Sequence, residues 1–342
     1  MRQWLTVFVL CFFQFVSAQE KDSTSIKEIA NALFGIEEPR VGVLAQFDAE
    51  WLTSNVAPRS SFNIHLLRLY LSGTVDEKFK YVYQGDLNGG YRTLDLKFSY
   101  LFDDHWKIDV GQFKAAFGKE YLRNDAKLLF VNRATVANRI GPFRQLGLQV
   151  SGNWFDRRLM LNTGVFNGEG ISSGTEKISM IAANVNLVPI VNNDGNHQRL
   201  EIGGSLVYAG DRYDLSSLSS YVDHKLLWSW NLRYEFDDYW IETESNGLFY
   251  ERANWQEGFY VDIAKRFSSL VEFALRFDWF QDYGDPSLIG FSFYPYIDRN
   301  YLFGLNWYPV KNVKIQFNVG RNQSRETTLG ILNLQYAINN EF

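Results

Sequence analysis

The sequence predicts an all-β fold, a transmembrane antiparallel up-and-down β-barrel of about 16 strands. Two observations predict it. Segment after segment places apolar residues at every second position with polar residues between them, and the links between segments alternate between short and long. In Lys225 to Phe236, Leu226, Trp228, Trp230, Leu232, Tyr234 and Phe236 face one way, while Lys225, Ser229, Asn231, Arg233 and Glu235 face the other. A strand of this kind needs hydrocarbon on one side and water on the other.

Composition narrows the class. With 342 residues, 17% aromatic and 21% charged side chains and 7 prolines, the chain is neither disordered nor uniformly apolar. Residues 1–18 read as a signal peptide: Arg2 precedes an apolar run from Leu5 to Phe15, and Val16-Ser17-Ala18 supplies small residues before Gln19. The run is shorter than the ~20 apolar residues of a spanning helix. The single cysteine, Cys11, lies inside this segment, so neither a lipid anchor nor a disulfide is expected of the mature chain. Losing Arg2 makes the formal charge of −5 one unit more negative, which argues against nucleic acid as a partner.

Within residues 19–40, read as a periplasmic N-terminal segment, Ser25 and Glu28 form a capping-box pattern ahead of Ile29, Ala30, Leu33 and Phe34. The pattern allows a short helix, although a linker is the stronger expectation because one short helix is marginal in water.

The barrel is expected over 41–342. Strands are predicted near 41–53, 62–73, 79–88, 92–102, 106–117, 144–155, 158–167, 178–188, 198–210, 224–236, 239–250, 257–267, 269–281, 301–309, 312–321 and 328–342. The register is plainest where Leu94, Leu96, Phe98, Tyr100 and Phe102 oppose Asp95, Lys97 and Ser99. It is equally plain where Val271, Phe273, Leu275, Phe277 and Trp279 oppose Glu272, Arg276 and Asp278. Slipping a strand by one residue would put basic groups into lipid at about 2–4 kcal/mol each near the midplane.

Links written around Asp76-Glu77-Lys78, Asp103-Asp104-His105, Asp156-Arg157, Asp237-Asp238, Ser268 and Pro309-Val310-Lys311 are short. The intervening ones are longer, above all Gly118 to Phe143, Asp211 to Asp223 and Asp282 to Asn300. Short periplasmic turns alternating with longer outer loops are the barrel pattern, with both ends of the chain periplasmic. The link through Pro189 and Asn192 to Asn196 is the exception, too long for its class. Trp106, Trp154, Trp240, Trp255, Trp307 and Tyr308 fall at strand ends, where a girdle at the headgroup layer is expected.

The candidate site lies between the fifth and sixth strands. Lys114, Lys119, Arg123, Lys127, Arg133, Arg139 and Arg144 face only Glu120 and Asp125 within that stretch. A loop this long in a compact protein usually has a role. Folded into the lumen, its guanidinium groups would line a narrow aqueous path and attract phosphate or carboxylate. The alternative is that these residues pair with inward carboxylates such as Asp95, Asp109, Glu242 and Glu244, or meet lipopolysaccharide phosphates outside.

The same stretch carries a resemblance. Gly111-Gln112-Phe113-Lys114, Phe117, Glu120, Leu122, Phe130, Arg133 and Arg144-Gln145-Leu146-Gly147, with the later Val165-Phe166-Asn167-Gly168, resemble the phosphate-selective porin O and P family. Phe62 to Val75 is similar to that family's early Arg-rich strand and keeps Arg68; His65, Leu67 and Ala116 depart from its pattern. The resemblance implies a homotrimeric outer-membrane channel, with Arg68 added to the basic residues of the loop.

Two other classes compete. A surface binding or adhesion barrel would use the loops Asp211 to Asp223 and Asp282 to Asn300. An outer-membrane enzyme would need a nucleophile beside a base, and His65, His105, His197 and His224 have no such companion at an informative spacing. No catalytic residue, metal ligand or cofactor is expected. The expectation is therefore a porin for small hydrophilic solutes in the outer membrane after signal removal, biased toward anions such as phosphate. Its partners would be lipid, lipopolysaccharide and small anionic or polar solutes.

Overall fold

A computed structural model describes residues 36–54, 58–168, 170, 178–192, 197–213, 221–250, 255–283 and 296–339. The segment preceding the first strand, including the capping-box pattern, lies outside the described residues, as does the terminal Phe342.

Sixteen strands follow in chain order: β1 Ile36–Thr53, β2 Arg59–Val75, β3 Phe79–Asp86, β4 Arg92–Leu101, β5 Trp106–Lys114, β6 Arg144–Trp154, β7 Leu159–Phe166 and β8 Met180–Asn192. Then come β9 Gln198–Tyr213, β10 Tyr221–Phe236, β11 Tyr239–Tyr250, β12 Trp255–Ser268, β13 Val271–Asp282, β14 Tyr296–Val310, β15 Val313–Asn322 and β16 Thr327–Ile338. Each pairs with its chain neighbours, and β1 with β16 closes the barrel antiparallel from Val43 opposite Ile338 to Thr53 opposite Thr328. Closure satisfies the backbone groups of both would-be edge strands, which hydrocarbon would otherwise leave unpaired.

The period of two separates the faces as the sequence predicts. On β13, Leu275 is 56% exposed on the outside while Arg276 is 2% exposed on the inside. Outside, aromatic rings pack across strands, as in the edge-to-face pair of Trp106 and Trp154 with centroids 5.0 Å apart. Such pairs contribute about 0.5–1.5 kcal/mol beyond area burial.

Several expectations need correction. The first strand starts at Ile36, earlier than 41. The β8–β9 link is shorter than expected, 193–197, because β8 continues through Pro189 to Asn192, although it is still the longest of its class. The register shifts between Leu187 and Ile190, so the missing N–H of Pro189 falls at an irregularity and not within the regular ladder. A second shift, opposite Gln84 and Gly85, makes Leu94 an extra residue of β4; it is buried, not lipid-facing. Trp240 and Tyr308 leave the girdle for the lumen. Trp240 alternates in phase with inward Glu242, and the register shift after Trp307 lets the Tyr308 hydroxyl donate to Glu272 at 3.3 Å.

Candidate functional site

The long link between β5 and β6 turns inward and crosses the lumen. Its chain holds a single 3-10 turn, Asp125–Lys127, and a short helix α1, Thr135–Arg139. A loop in this position must satisfy its own backbone, since unpaired buried polar groups cost about 1–3 kcal/mol each. The inward side chains of the barrel wall do so. The N–H groups of Lys119 and Glu120 donate to Glu244 Oε2 at 2.7 and 2.8 Å, and Val131 N–H donates to Asn318 Oδ1 at 2.8 Å. Asn306 Nδ2 donates to Leu129 O at 2.9 Å, Lys314 Nζ to Leu128 O at 2.6 Å and Gln335 Nε2 to Ala126 O at 3.1 Å.

At the start of α1, the N–H and hydroxyl of Thr135 both donate to Asp278 Oδ2, at 2.8 and 2.7 Å. A carboxylate there satisfies first-turn donors that the helix leaves open. Gly118 enters the crossing at φ +64°, and a Cβ added to it would lie 2.7 Å from Glu244 Oε1. That combination favours glycine.

The loop is also held by apolar packing, which the alternating pattern hid. Phe117, Ala134, Val136 and Ile140 join a buried cluster with Phe166, Met180, Val207, Leu227, Leu248 and Phe280 of the wall. These wall residues occupy inward positions expected to be polar. Each extends the polar face of its strand toward the loop end, as Leu227 does beyond Ser229 and Asn231. Two apolar neighbours such as Leu226-Leu227 or Leu206-Val207 are the sequence signal for a strand wetted on neither face there. A smaller cluster sets Leu129 and Phe130 on Ala264 and Ala274. Gly304 makes room for that ring: a Cβ there would stand 2.9 Å from Phe130 Cε1.

The basic candidates come together around this crossing, most of them already paired. Arg123 Nη2 meets Glu242 at 2.5 and 2.6 Å, and Arg144 meets Asp95 through Nε at 2.8 Å and Nη2 at 3.3 Å. Lys119 pairs with Glu201 and lies 3.7 Å from Glu242. Arg68 and Arg133 pair with opposite oxygens of Asp125. Lys114 donates to the carbonyl of Tyr121 at 2.7 Å, with its ammonium 4.8 Å from the Tyr121 ring centre. Lys127 and Arg139 differ: both are exposed, and among the described residues neither side chain forms a hydrogen bond or ion pair.

Arg276 was legible only as one polar residue of its strand, yet it anchors the loop through Glu120. Its guanidinium contacts Asp262 at 2.7 Å twice and Glu120 at 2.5 Å, and lies 4.7 Å from the ring centres of both Phe130 and Tyr260.

Two recesses flank the crossing. One of about 270 Å³ is lined by Arg123, Lys127, Arg233, Trp240, Arg266 and Glu272, among others. A smaller one, about 80 Å³, lies between Tyr70, Gln84, Asp95, Lys114, Asp125 and Arg144, with Leu122 and Asn124. Among the described residues no group of His, Cys, Asp and Glu is placed to hold a metal ion. His65 is paired with Asp48 of β1 at 2.8 Å, a companion that spacing in the sequence did not reveal. Much of the two loops considered for surface binding, 214–220 and 284–295, lies outside the described residues.

Solved porins share this architecture. An anion-selective porin from Comamonas acidovorans superposes with a TM-score of 0.63 at 10% identity, over 88% of this chain and 99% of that one. Salmonella typhi OmpF in complex with daunomycin gives 0.61 at 10% identity, over 88% and 97%. The trimer form of Vibrio cholerae OmpT gives 0.59 at 9% identity, over 88% and 100%. At such identities the likeness bears on the fold alone. No curated protein matches the sequence. The model of the phosphate-selective porin O and P family matches residues 45–237, more than half of the chain. A closed barrel crossed by an inner loop, matched over that span, belongs to the phosphate-selective porin O and P family and is an outer-membrane channel.

Proposed function

We propose that the channel passes small hydrophilic solutes by diffusion and favours anions such as phosphate through the loop from Gly118 to Phe143. The observation that carries this reading is the pair of unpaired cations, Lys127 and Arg139, on a loop held across the lumen. Arg68, Lys119, Arg123, Arg133 and Arg144 are engaged by carboxylates and Lys114 by the Tyr121 carbonyl, so those two are the exposed, unpaired cations of the crossing among the described residues. In a narrow path between low-dielectric walls, even a small excess of one sign raises the local concentration of the opposite ion.

The reading includes removal of residues 1–18 as a signal, residues 19–35 as a periplasmic lead into β1, and assembly as a homotrimer. The trimer is supported by the trimer form of one structural neighbour and by the closed symmetry usual in oligomers. Lipid and lipopolysaccharide would contact the outer face. Passage involves no covalent step.

Purified protein in a planar bilayer under a potassium chloride gradient tests the reading. The zero-current potential is expected on the chloride side, and added phosphate should reduce the chloride current. A potential on the potassium side would overturn the anion preference while leaving the porin.

A further inference from the structure

Two arginines stand on the lipid-facing side of the barrel, at the end that carries the long links. Arg299 of β14 alternates in phase with outward Tyr301 and Phe303, and Arg321 of β15 with Val319 and Phe317, which pair with outward residues of β14. Tyr301 lies directly opposite Arg321, so the two arginines are diagonal neighbours on one face, about 7–8 Å apart. Both are exposed, and among the described residues the Arg299 side chain forms no hydrogen bond or ion pair. Arg321 donates to Glu326 O at 3.1 Å and to the Thr328 hydroxyl at 3.2 Å. Neither guanidinium meets a carboxylate among the described residues. The outward carboxylate of Glu257, two strands away on β12, is held by Trp255 Nε1 at 3.1 Å and the Tyr283 hydroxyl at 3.0 Å.

Their height on the barrel says what they meet. Arg299 lies eight residues along β14 from Trp307, and Arg321 eight along β15 from Val313. At about 3.3 Å per residue and a strand tilt of about 40°, each arginine stands roughly 20 Å above the periplasmic end of an apolar band about 25 Å tall. That is the headgroup layer of the outer leaflet, where a lipid-facing arginine costs only about 0–1 kcal/mol. At the periplasmic end of the same strands the outward residues are Val271, Trp307 and Val313, so the pair addresses the outer leaflet and not the inner one.

We propose that Arg299 and Arg321 form a docking site for a phosphate group of lipopolysaccharide on the outer face of β14 and β15. The inference rests on the outer-membrane reading and deepens it by naming where the barrel holds the lipid of its outer leaflet. A guanidinium matches phosphate bidentately. Two of them, spaced as diagonal neighbours and lacking an internal anion, close on one phosphate from two strands.

The experiment titrates purified protein in detergent with deep-rough lipopolysaccharide, with the same lipopolysaccharide after enzymatic removal of its phosphates, and with phosphatidylglycerol. Wild type is compared with Arg299→Gln, Arg321→Gln and the double variant, and with Lys265→Gln, outward at the periplasmic end of β12, as a charge control. Each single variant should bind lipopolysaccharide about tenfold more weakly, the scale of one charge-assisted hydrogen bond. The double variant should bind no better than either, and the control should match wild type. Wild type should lose a similar factor on the dephosphorylated lipid, an arm that needs no variant to fold. Unchanged affinity in the arginine variants, or equal affinity of wild type for the dephosphorylated lipid, would overturn the inference. So would phosphatidylglycerol binding as tightly as lipopolysaccharide, because any lipid anion would then fill the site. Separation of an assembled wild type into protomers in the double variant would also overturn it, by making this face a contact between copies. The zero-current potential of the double variant should equal that of wild type, since neither arginine faces the lumen, so this inference and the anion preference fail separately.

Discussion

Arg276 Nη2 and Glu120 Oε1 lie 2.5 Å apart with both side chains closed to solvent, and this contact ties the crossing loop to β13. The partners are 156 positions apart in the chain, so the loop is anchored by a contact between distant parts of the sequence.

Replacing Arg276 with methionine should loosen the crossing while sparing the barrel. Glu120 and Asp262 would keep their burial and lose their shared cation, at a cost of about 3–5 kcal/mol. Barrel strands would still pair on both sides of β13. The expected outcome is an intact barrel with raised single-channel conductance and faster proteolysis within 119–140. Unchanged conductance with an unchanged cleavage pattern would show that the apolar cluster around Phe117, Val136 and Ile140 holds the loop unaided.

The lipid face makes a separate prediction. Leu275 is 56% exposed and sits centrally on β13. Leu275→Arg should destabilise the barrel by about 2–4 kcal/mol in bilayers, the cost of a basic group near the midplane. Equilibrium denaturation in phosphatidylcholine vesicles would measure it. A change below about 0.5 kcal/mol would place that face in water.

The Asp125 bridge carries a pH prediction. Burial alone would raise its carboxyl, but Arg133 and Arg68 outweigh burial and hold it below the ordinary carboxylate range. A folded value below the unfolded one means the bridge contributes fully above the unfolded value of about 3.9 and is lost only as pH falls through the lower folded value. The difference in zero-current potential between Asp125→Asn and wild type should therefore persist at about pH 3, where a carboxyl of ordinary value would be mostly protonated. Its disappearance by that pH would mean that Asp125 is not held charged.

Much of this architecture is legible in the sequence, for a physical reason. A wall between two solvents imposes a period of two on every strand, and hairpin connections impose short and long links in turn, so Val271 to Asp282 or Val313 to Asn322 announce themselves. The pattern becomes unreadable where the inner face is no longer wet. Leu227, Val207, Leu248 and Phe280 break the alternation because the loop covers them. The basic cluster of the loop was equally visible, and Asp95 and Glu242 stood among the inward carboxylates expected as its alternative partners; which residue pairs with which was not visible. Arg123 finds Glu242 at a separation of 119 positions, and Arg144 finds Asp95 at 49. Residue types along the chain place both signs on the inward face; only the closed barrel decides which charges cancel. Lys127 and Arg139 stand out after that subtraction and not before it.

The double variant Lys127→Glu, Arg139→Glu tests the central claim most directly, through its zero-current potential under a salt gradient beside that of wild type. The account predicts a shift from the chloride side to the potassium side with the barrel intact. A potential equal to that of wild type would contradict it, because the charges exposed on the crossing loop would then have no part in choosing the ion.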